Sequence, residues 1–230
     1  MPRSFANANK KLLLGVATAF GDLLDQVVFL GGATTSLLVD QGAEVYARPT
    51  DDVDVIADLV TRADYYKFSE ELRAHGFRED QSDKAPLCRW IATHLDVEYA
   101  VDVMPIDESI LGFSNRWYEE SMNTATQVTL EQGIQIRVVQ PLYFLATKFE
   151  AFHGRFEGDY LSRDIQDIVC LLEHRNDLPL ELLDAKAELQ EALRNEFRGL
   201  SSPGFLNVLP GLLDDPQSLA MVKRKIELLS

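Results

Sequence analysis

The amino-acid sequence predicts an α+β fold, in which a first domain with a short mixed sheet precedes a C-terminal helical domain. Strand-like apolar runs alternate with helical patterns up to about residue 140, whereas only helical patterns follow from Pro141 onward. The 230 residues, 46% of them hydrophobic, suffice for two domains with cores of their own. We therefore expect one domain at residues 1–140 and a second at residues 141–230.

The first predicted domain opens with an amphipathic helix, because apolar residues recur at helical spacing from Leu13 to Leu24. Its strands are expected at the runs "QVVFL", "DVDVIAD", "PLCRWIAT", "LDVEYAVDVMPI", "TQVTL" and "IQIRVV". The last two runs flank Glu131-Gln132-Gly133, which is typical of a hairpin. Further helices are expected at "ATTSLLVDQG", "ADYYKFSEELRAHGF" and "SNRWYEESMNTA".

The second predicted domain is helical throughout. One helix each is expected at "PLYFLATKFEAFHGR", "SRDIQDIVCLLEHRN" and "LELLDAKAELQEALRNEFRGL". The remaining residues, which begin at Ser201, predict at least one more helix.

The charge balance limits the partners that the chain can bind. There are 22 basic and 37 acidic residues, which give a formal net charge of −15. Affinity for nucleic acid rests mainly on Lys and Arg side chains that neutralise phosphates. We therefore expect no extended nucleic-acid surface, although a local basic patch is compatible with this charge.

The sequence also predicts a cytoplasmic protein without a membrane partner. Cys88 and Cys170 fit no zinc spacing and indicate buried thiols in a reducing compartment. No apolar run approaches the ~20 residues that are needed to cross a bilayer. Lys10-Lys11 and the run "LLLGVATAF" are similar to a signal peptide, but helical spacing continues beyond them and favours a core helix.

Asp52 and Asp54 are the first candidate functional residues. Residues two apart on a strand point to the same side, so both carboxylates share one face of the predicted strand "DVDVIAD". Two carboxylates about 7 Å apart repel each other unless a cation joins them. Mg²⁺ prefers such hard oxygen ligands, usually together with substrate phosphates. The alternative is a solvent-facing strand edge.

A third acid is expected on a later strand. Asp102 lies in the most apolar part of "LDVEYAVDVMPI", where a carboxylate needs a ligand or a partner. Beside a metal it would suit the catalytic base for a substrate hydroxyl. Glu98 is the competing residue on the same face, about 13 Å away along the strand. Alternatively, Asp102 is a strand-end residue before the turn at Pro105.

Gly31-Gly32 is the predicted phosphate-binding loop. Glycines allow backbone N–H groups to approach a phosphate closely, and a following helix presents its positive end there. Thr34, Thr35 and Ser36 supply hydroxyl groups nearby. A Gly-Gly pair alone is more often a tight turn, but the order strand, Gly-Gly, helix and Asp-x-Asp is more specific.

These motifs resemble the signature of the DNA polymerase β-like nucleotidyltransferase superfamily, in which a Gly-Gly or Gly-Ser pair precedes Asp-hydrophobic-Asp and a third acid. The stretch "ARPTDDVDV" is similar to the Arg-x-Thr-x-Asp-x-Asp form of that motif. Downstream, "FLATKFEAFHGR" and "SRDIQDIVCLL" resemble the helical part of AbiEii-type nucleotidyltransferases, a group that includes toxins of toxin–antitoxin pairs. The resemblance covers roughly residues 28–172.

The resemblance implies transfer of a nucleotide from an NTP in the presence of Mg²⁺. It assigns Asp52, Asp54 and Asp102 as catalytic metal ligands, and Gly31, Gly32, Thr34 and Thr35 to nucleotide binding. Lys148 would contact the triphosphate, while Asp164 and Asp167 match a later acidic motif. Gly32 departs from the family, because many members have Ser there, so the phosphate contact would come either from the backbone alone or from Thr34 or Thr35. Alternatively, Lys148 pairs with an acid on the next helix, and Asp164 and Asp167 belong to a capped helix start.

The acceptor stays open at this point. A toxin of the AbiEii type would modify an RNA end and would have an antitoxin protein as partner. A small-molecule nucleotidyltransferase of the aminoglycoside-modifying sort would suit the acidity of the chain, because an acidic cleft attracts a cationic acceptor. A non-catalytic nucleotide-binding module is the third class, and the three intact acids argue against it.

Overall fold

A computed structural model of the chain describes residues 3–156 and 158–230. The chain forms two compact units. The first contains the chain up to Thr34 together with Pro49–Gln140, and the second contains Thr35–Arg48 together with Pro141–Ser230. The division into residues 1–140 and 141–230 stays a prediction.

Helices and strands follow one another along the described chain. The helices are α1 (Arg3–Phe20), α2 (Thr35–Leu38), α3 (Arg62–Ala74), α4 (Glu108–Leu111), α5 (Tyr118–Asn123), α6 (Pro141–Phe156), α7 (Arg163–His174), α8 (Leu178–Asp184), α9 (Ala187–Leu200), α10 (Pro203–Val208) and α11 (Leu219–Leu229). The strands are β1 (Val27–Leu30), β2 (Asp52–Ala57), β3 (Arg78–Glu79), β4 (Arg89–His94), β5 (Val97–Pro105), β6 (Thr126–Thr129) and β7 (Gln135–Val138). Short 3₁₀ turns include Gly32–Thr34 and Glu131–Gly133.

All strands of the described residues belong to one mixed sheet in the first unit, with the order β3-β4-β5-β2-β1-β7-β6. Strand β2 pairs antiparallel with β1 and parallel with β5, while β4 and β5 form an antiparallel pair. Strands β6 and β7 form the expected hairpin. The α+β fold is thereby confirmed, and the strand that carries Asp52 and Asp54 lies in the interior of the sheet.

The β4–β5 hairpin closes through a two-residue turn that has no typical turn sequence. Leu95 and Asp96 both have positive φ angles, +50° and +60°, as in a type I′ turn. Glycine or asparagine is the usual choice at these positions, because side chains disfavour such backbone angles. The pairing of His94 with Val97 fixes the register of the whole hairpin.

Two predicted helices differ in the structure. The run "LELLDAKAELQEALRNEFRGL" forms α8 and α9 rather than one helix, with a break at Ala185 and Lys186. The amide of Gln190 donates to the carbonyls of Leu183 and Ala185, 2.9 Å away in each case, and so compensates the backbone groups that the break releases.

The run "ATTSLLVDQG" also forms less helix than expected, a 3₁₀ turn and then α2, which has only four residues. Beyond α2, the Asp40 backbone N–H donates to the His174 carbonyl at 2.8 Å, and the Asp40 carboxylate accepts from Asn176. These tertiary hydrogen bonds replace the backbone bonds of a longer helix.

Each unit has apolar side chains that are fully buried. In the first unit they include Phe20, Phe29, Val53, Trp90 and Val101, which come from α1 and the sheet. In the second they include Phe144, Leu145, Ile165, Leu193 and Phe197 from α6, α7 and α9. Across residues 3–156 and 158–230, each helix is too short or too polar to traverse a bilayer.

Candidate active site

The three predicted metal ligands lie on one face of neighbouring strands in the first unit. Asp54 on β2 stands directly beside Asp102 on β5, and Asp52 lies two residues before Asp54. Adjacent residues in register share a face, as do residues two apart on one strand. The Asp52 side chain is 29% exposed and that of Asp102 is 12% exposed. The acids are therefore partly withdrawn from solvent but still accessible.

Arg89 joins two of these acids. It begins β4 and pairs in register with Asp102. Its Nε and Nη2 donate to Asp102 Oδ1 and Oδ2, each at 2.8 Å, and Nη2 also donates to Asp52 Oδ2 at 2.8 Å. The hydrogen bonds to Asp102 raise the pKa of Arg89, and the Asp52 charge adds to this effect. The guanidinium is therefore a fixed positive charge within the acid group.

Thr50 and Asn9 support the start of β2. The Thr50 hydroxyl donates to Asp52 Oδ1 at 2.8 Å, and the Thr50 backbone N–H donates to Asn9 Oδ1 at 3.2 Å. Asn9 lies on α1 and is fully buried. Helix α1 thus fixes the position of Thr50, which lies two residues before the start of β2 and contacts Asp52.

Gly31 lies against the Asp54 carboxylate. It follows β1, whose last residue pairs with Asp54, and its φ is +74°. A Cβ atom at this position would lie 1.8 Å from Asp54 Oδ2. Only glycine allows both this backbone angle and this close approach. The glycine that the sequence assigned to a phosphate loop is thus also required by one of the acids.

The other residues of the predicted nucleotide loop are buried. Gly32 and Thr34 belong to the 3₁₀ turn, where the Thr34 hydroxyl donates to the Gly31 carbonyl at 2.9 Å. Thr35 begins α2 in the second unit, and Ser36 follows it. Within the part of the chain that the structure describes, the buried hydroxyls of Thr35 and Ser36 have no hydrogen-bond partner.

Cys88 borders the acid group. It precedes Arg89, and burial raises the pKa of its thiol to about 12, with the charges of Asp102 and Asp54 adding to the rise. Cys170 is a second buried free thiol, whose pKa burial also raises. Both thiols are therefore neutral at physiological pH, and neither is an activated nucleophile.

The remaining predicted residues form an ion-pair network in the second unit. Lys148 Nζ on α6 lies 2.9 Å from Asp164 Oδ1 and 2.7 Å from Asp167 Oδ2, both on α7. Arg48 reaches Asp167 through Nε at 2.8 Å, and Arg155 lies 3.5 Å from Asp164. All three predicted residues are nearly buried, and Lys148 also lies over the Phe144 ring. The pairing that the sequence offered as an alternative for Lys148 is present, and its contact with a triphosphate stays a prediction.

A second acidic group lies in the second unit outside the predicted set. Single ligand atoms of Glu173, His174 and Asp214 lie within 4.8 Å of one another. The Glu173 carboxylate accepts the backbone N–H groups of Asp214 and Asp215 and the hydroxyl of Ser218. These bonds fix the chain that precedes α11, so the group has a structural explanation.

Sequence reasoning missed Arg89 and Asn9. Arg89 can be found once the turn at Leu95 and Asp96 is known, because counting pairs outward from this turn places Arg89 opposite Asp102. No sequence signal marks Asn9, since its role depends on the packing of α1.

Comparison with known proteins gives the family. A family model described as nucleotidyl transferase AbiEii toxin, type IV toxin–antitoxin system, matches residues 13–225. The chain belongs to the AbiEii nucleotidyltransferase family. This AbiEii chain is therefore a nucleotidyltransferase, as the sequence motifs predict, and its family is one of toxin–antitoxin systems.

Solved structures show the same fold. An antigenic nucleotidyltransferase-like protein from Paracoccidioides brasiliensis is 19% identical to the AbiEii chain and superposes with a TM-score of 0.56. The match covers 91% of the AbiEii chain and 98% of the other. No curated protein matches the sequence.

Proposed function

We propose that the protein transfers a nucleotide from an NTP to an RNA end in a Mg²⁺-dependent reaction, as a toxin of a toxin–antitoxin pair. The observation that carries the proposal is the group formed by Asp52, Asp54 and Asp102, which lies on one sheet face beside Gly31. Three partly buried carboxylates of one sign repel each other, and such a group is stable when cations compensate it.

The donor set fits Mg²⁺. Carboxylate oxygens are hard ligands, and magnesium sites usually combine one or two of them with substrate phosphates. In our proposal Asp52 and Asp54 hold the metal, and Asp102 is the third ligand. When bound, Mg²⁺ would neutralise charge on the triphosphate and on the leaving pyrophosphate.

The chain's own residues would position the reactants and accept a proton. A hydroxyl oxygen of the acceptor forms a bond to the α-phosphorus of the NTP, while the bond from that phosphorus to the oxygen bridging to the β-phosphorus breaks. The electron pair of that bond leaves with pyrophosphate. In this proposal Asp102 takes the proton of the attacking hydroxyl, because its carboxylate lies on the same sheet face as Asp54 and hence next to the proposed metal site.

The remaining predicted residues would bind the nucleotide. Gly31 and Gly32 offer backbone N–H groups to phosphate oxygens, and the hydroxyls of Thr34 and Thr35 lie next to them in the chain. Lys148 contacts the triphosphate in this proposal, and Asp164 and Asp167 hold its ammonium group in place. Residues 1–140 form the nucleotidyltransferase domain, and residues 141–230 form the helical domain.

The proposed acceptor follows from the family, whose description names a type IV toxin–antitoxin system. An antitoxin protein is the corresponding partner. A small-molecule acceptor of the aminoglycoside type is the second candidate, and the net charge of −15 favours it because a cationic acceptor is attracted to an acidic protein.

A thermal-melting experiment tests the metal and NTP site. A ligand that binds only the folded protein raises the melting temperature. We expect Mg²⁺ with at least one of ATP, GTP, CTP and UTP to raise it, and Asp52→Asn combined with Asp54→Asn to abolish that rise. The melting temperature is recorded with EDTA, with Mg²⁺ alone and with Mg²⁺ plus each NTP. An equal rise in the double variant would show that these residues do not bind the metal–nucleotide complex.

A further inference from the structure

We propose that Arg89 is a built-in cation on the Asp52–Asp102 side of the acid group, which makes binding of a divalent metal weak until an NTP is present. The proposal rests on the function proposed above and adds a positioning residue to it. It also predicts the order of events, since metal and nucleotide would bind as coupled ligands.

The hydrogen bonds of the two carboxylates are the first argument. Both Asp102 oxygens and Asp52 Oδ2 accept from the Arg89 guanidinium. The other Asp52 oxygen accepts from the Thr50 hydroxyl. Each of the four carboxylate oxygens therefore already has a protein donor. A metal ion that coordinates any of these oxygens from this side competes with charge-assisted hydrogen bonds, which are among the strongest in proteins.

The charge of Arg89 is the second argument. A guanidinium stays protonated at every physiological pH, so it cannot make room for a metal by losing its proton. Arg89 is the first residue of its strand, and its side chain is 24% exposed, so the guanidinium has a route toward solvent. A metal on the Asp52–Asp102 side therefore requires the guanidinium to turn away while it remains charged.

An NTP removes this obstacle. Its phosphates supply anionic oxygens that match the planar fork of a guanidinium, and they supply further ligands to the metal. In this proposal Arg89 would exchange carboxylates for phosphate, which would free oxygens of Asp52 and Asp102 to hold the metal. By linkage, a nucleotide that strengthens metal binding is itself bound more tightly when metal is present.

Metal binding in the absence of nucleotide tests the role of Arg89. The measurement is titration of the 230-residue chain with Mn²⁺, with free Mn²⁺ followed by electron paramagnetic resonance. We expect Arg89→Gln to bind Mn²⁺ about tenfold or more tightly than the unmodified protein, because a like charge is removed from beside the metal. Arg78→Gln is the matched control, since Arg78 pairs with the exposed Glu98 on the same part of the sheet. We expect it to leave Mn²⁺ affinity unchanged.

Two further variants test whether the gain in Mn²⁺ affinity comes from the contact between Arg89 and the carboxylates. The gain in Arg89→Gln should disappear when Asp52→Asn is added, because it depends on the carboxylate that Arg89 releases. Arg89→Lys retains the charge without the three-point fork and should increase Mn²⁺ affinity by a smaller factor, so it replaces Arg89→Gln if that variant does not fold. Unchanged Mn²⁺ affinity in whichever of the two variants is folded would overturn the proposal, as would a gain that persists with Asp52→Asn.

Failure of this inference is distinguishable from failure of the proposed function. If Arg89 variants bind Mn²⁺ no better while Asp52→Asn with Asp54→Asn still abolishes the metal–NTP melting shift, only the role of Arg89 is wrong. If the melting shift persists in that double variant, the proposed metal site itself is wrong.

Discussion

Gly31→Ala is the substitution that most directly tests the geometry of the acid group. Two costs arise at this position. The backbone φ of +74° is one that side chains disfavour, and placing a Cβ there costs about 1–2 kcal/mol. The added Cβ would also lie 1.8 Å from Asp54 Oδ2 and 2.6 Å from Asp54 Cγ. The Asp54 carboxylate must therefore move by about 1 Å or more, and a misplacement of that size typically costs about 10²-fold in catalysis.

Gly133→Ala separates these two costs. Gly133 has almost the same φ, +77°, but a Cβ there would meet no atom of the described residues within 4 Å. We expect Gly133→Ala to lower the free energy of unfolding by about 1–2 kcal/mol and to leave nucleotide binding unchanged. Gly31→Ala should lose at least as much stability and, in addition, the melting shift produced by Mg²⁺ with NTP.

The assay combines urea unfolding of each variant with its melting temperature in the presence and absence of Mg²⁺ and NTP. The unfolding curves measure the backbone cost that both variants share. The ligand-dependent shift measures the effect on the proposed metal–nucleotide site, which contains both the Asp54 carboxylate and the Gly31 backbone. If Gly31→Ala retains the full shift, the Asp54 carboxylate is not a metal ligand at its observed position.

Two further predictions concern the second unit and the surface. Lys148→Ala should lower the free energy of unfolding by about 3 kcal/mol, because it removes the buried ammonium group that Asp164 and Asp167 share and leaves, among the described residues, only Arg155 and Arg48 beside them. Turnover per folded molecule should fall by about 10²–10³. Normal turnover with a lowered melting temperature would exclude contact between Lys148 and the triphosphate. RNA binding should depend only weakly on salt, as measured by the slope of log K against log salt concentration for duplex RNA.

The sequence predicted the α+β fold and most of its elements because their signals are local. Strand periodicity placed Asp52 and Asp54 on one face, and the pairing of β2 with β5 brought Asp102 beside them. The sequence also predicted that Gly31 directly follows a strand, but not that the Asp54 carboxylate lies so close that only glycine fits there. This requirement depends on the distance between two segments more than twenty residues apart, which no local pattern contains.

The elements that the sequence did not predict depend on tertiary contacts. The break between α8 and α9 is supported by Gln190. The short α2 is accompanied by a hydrogen bond that the Asp40 backbone N–H donates to His174 at the end of α7, and by hydrogen bonds that the Asp40 carboxylate accepts from Asn176. Arg89 was missed because the turn at Leu95 and Asp96 contains no glycine or asparagine. Without that turn, the register that places Arg89 opposite Asp102 cannot be derived.

The weak salt dependence expected for RNA binding follows from the ion pairs in which basic residues of the chain take part. Arg89 is bound to carboxylates in the first unit, and Arg48 and Lys148 are bound to carboxylates in the second. These cations are occupied by acids of the chain itself, while the net charge is −15. An RNA acceptor therefore meets a chain in which 37 acidic residues outnumber 22 basic ones, and in our proposal binding rests on a local contact at the RNA end. A salt slope that corresponds to about eight or more phosphates on duplex RNA would contradict this conclusion.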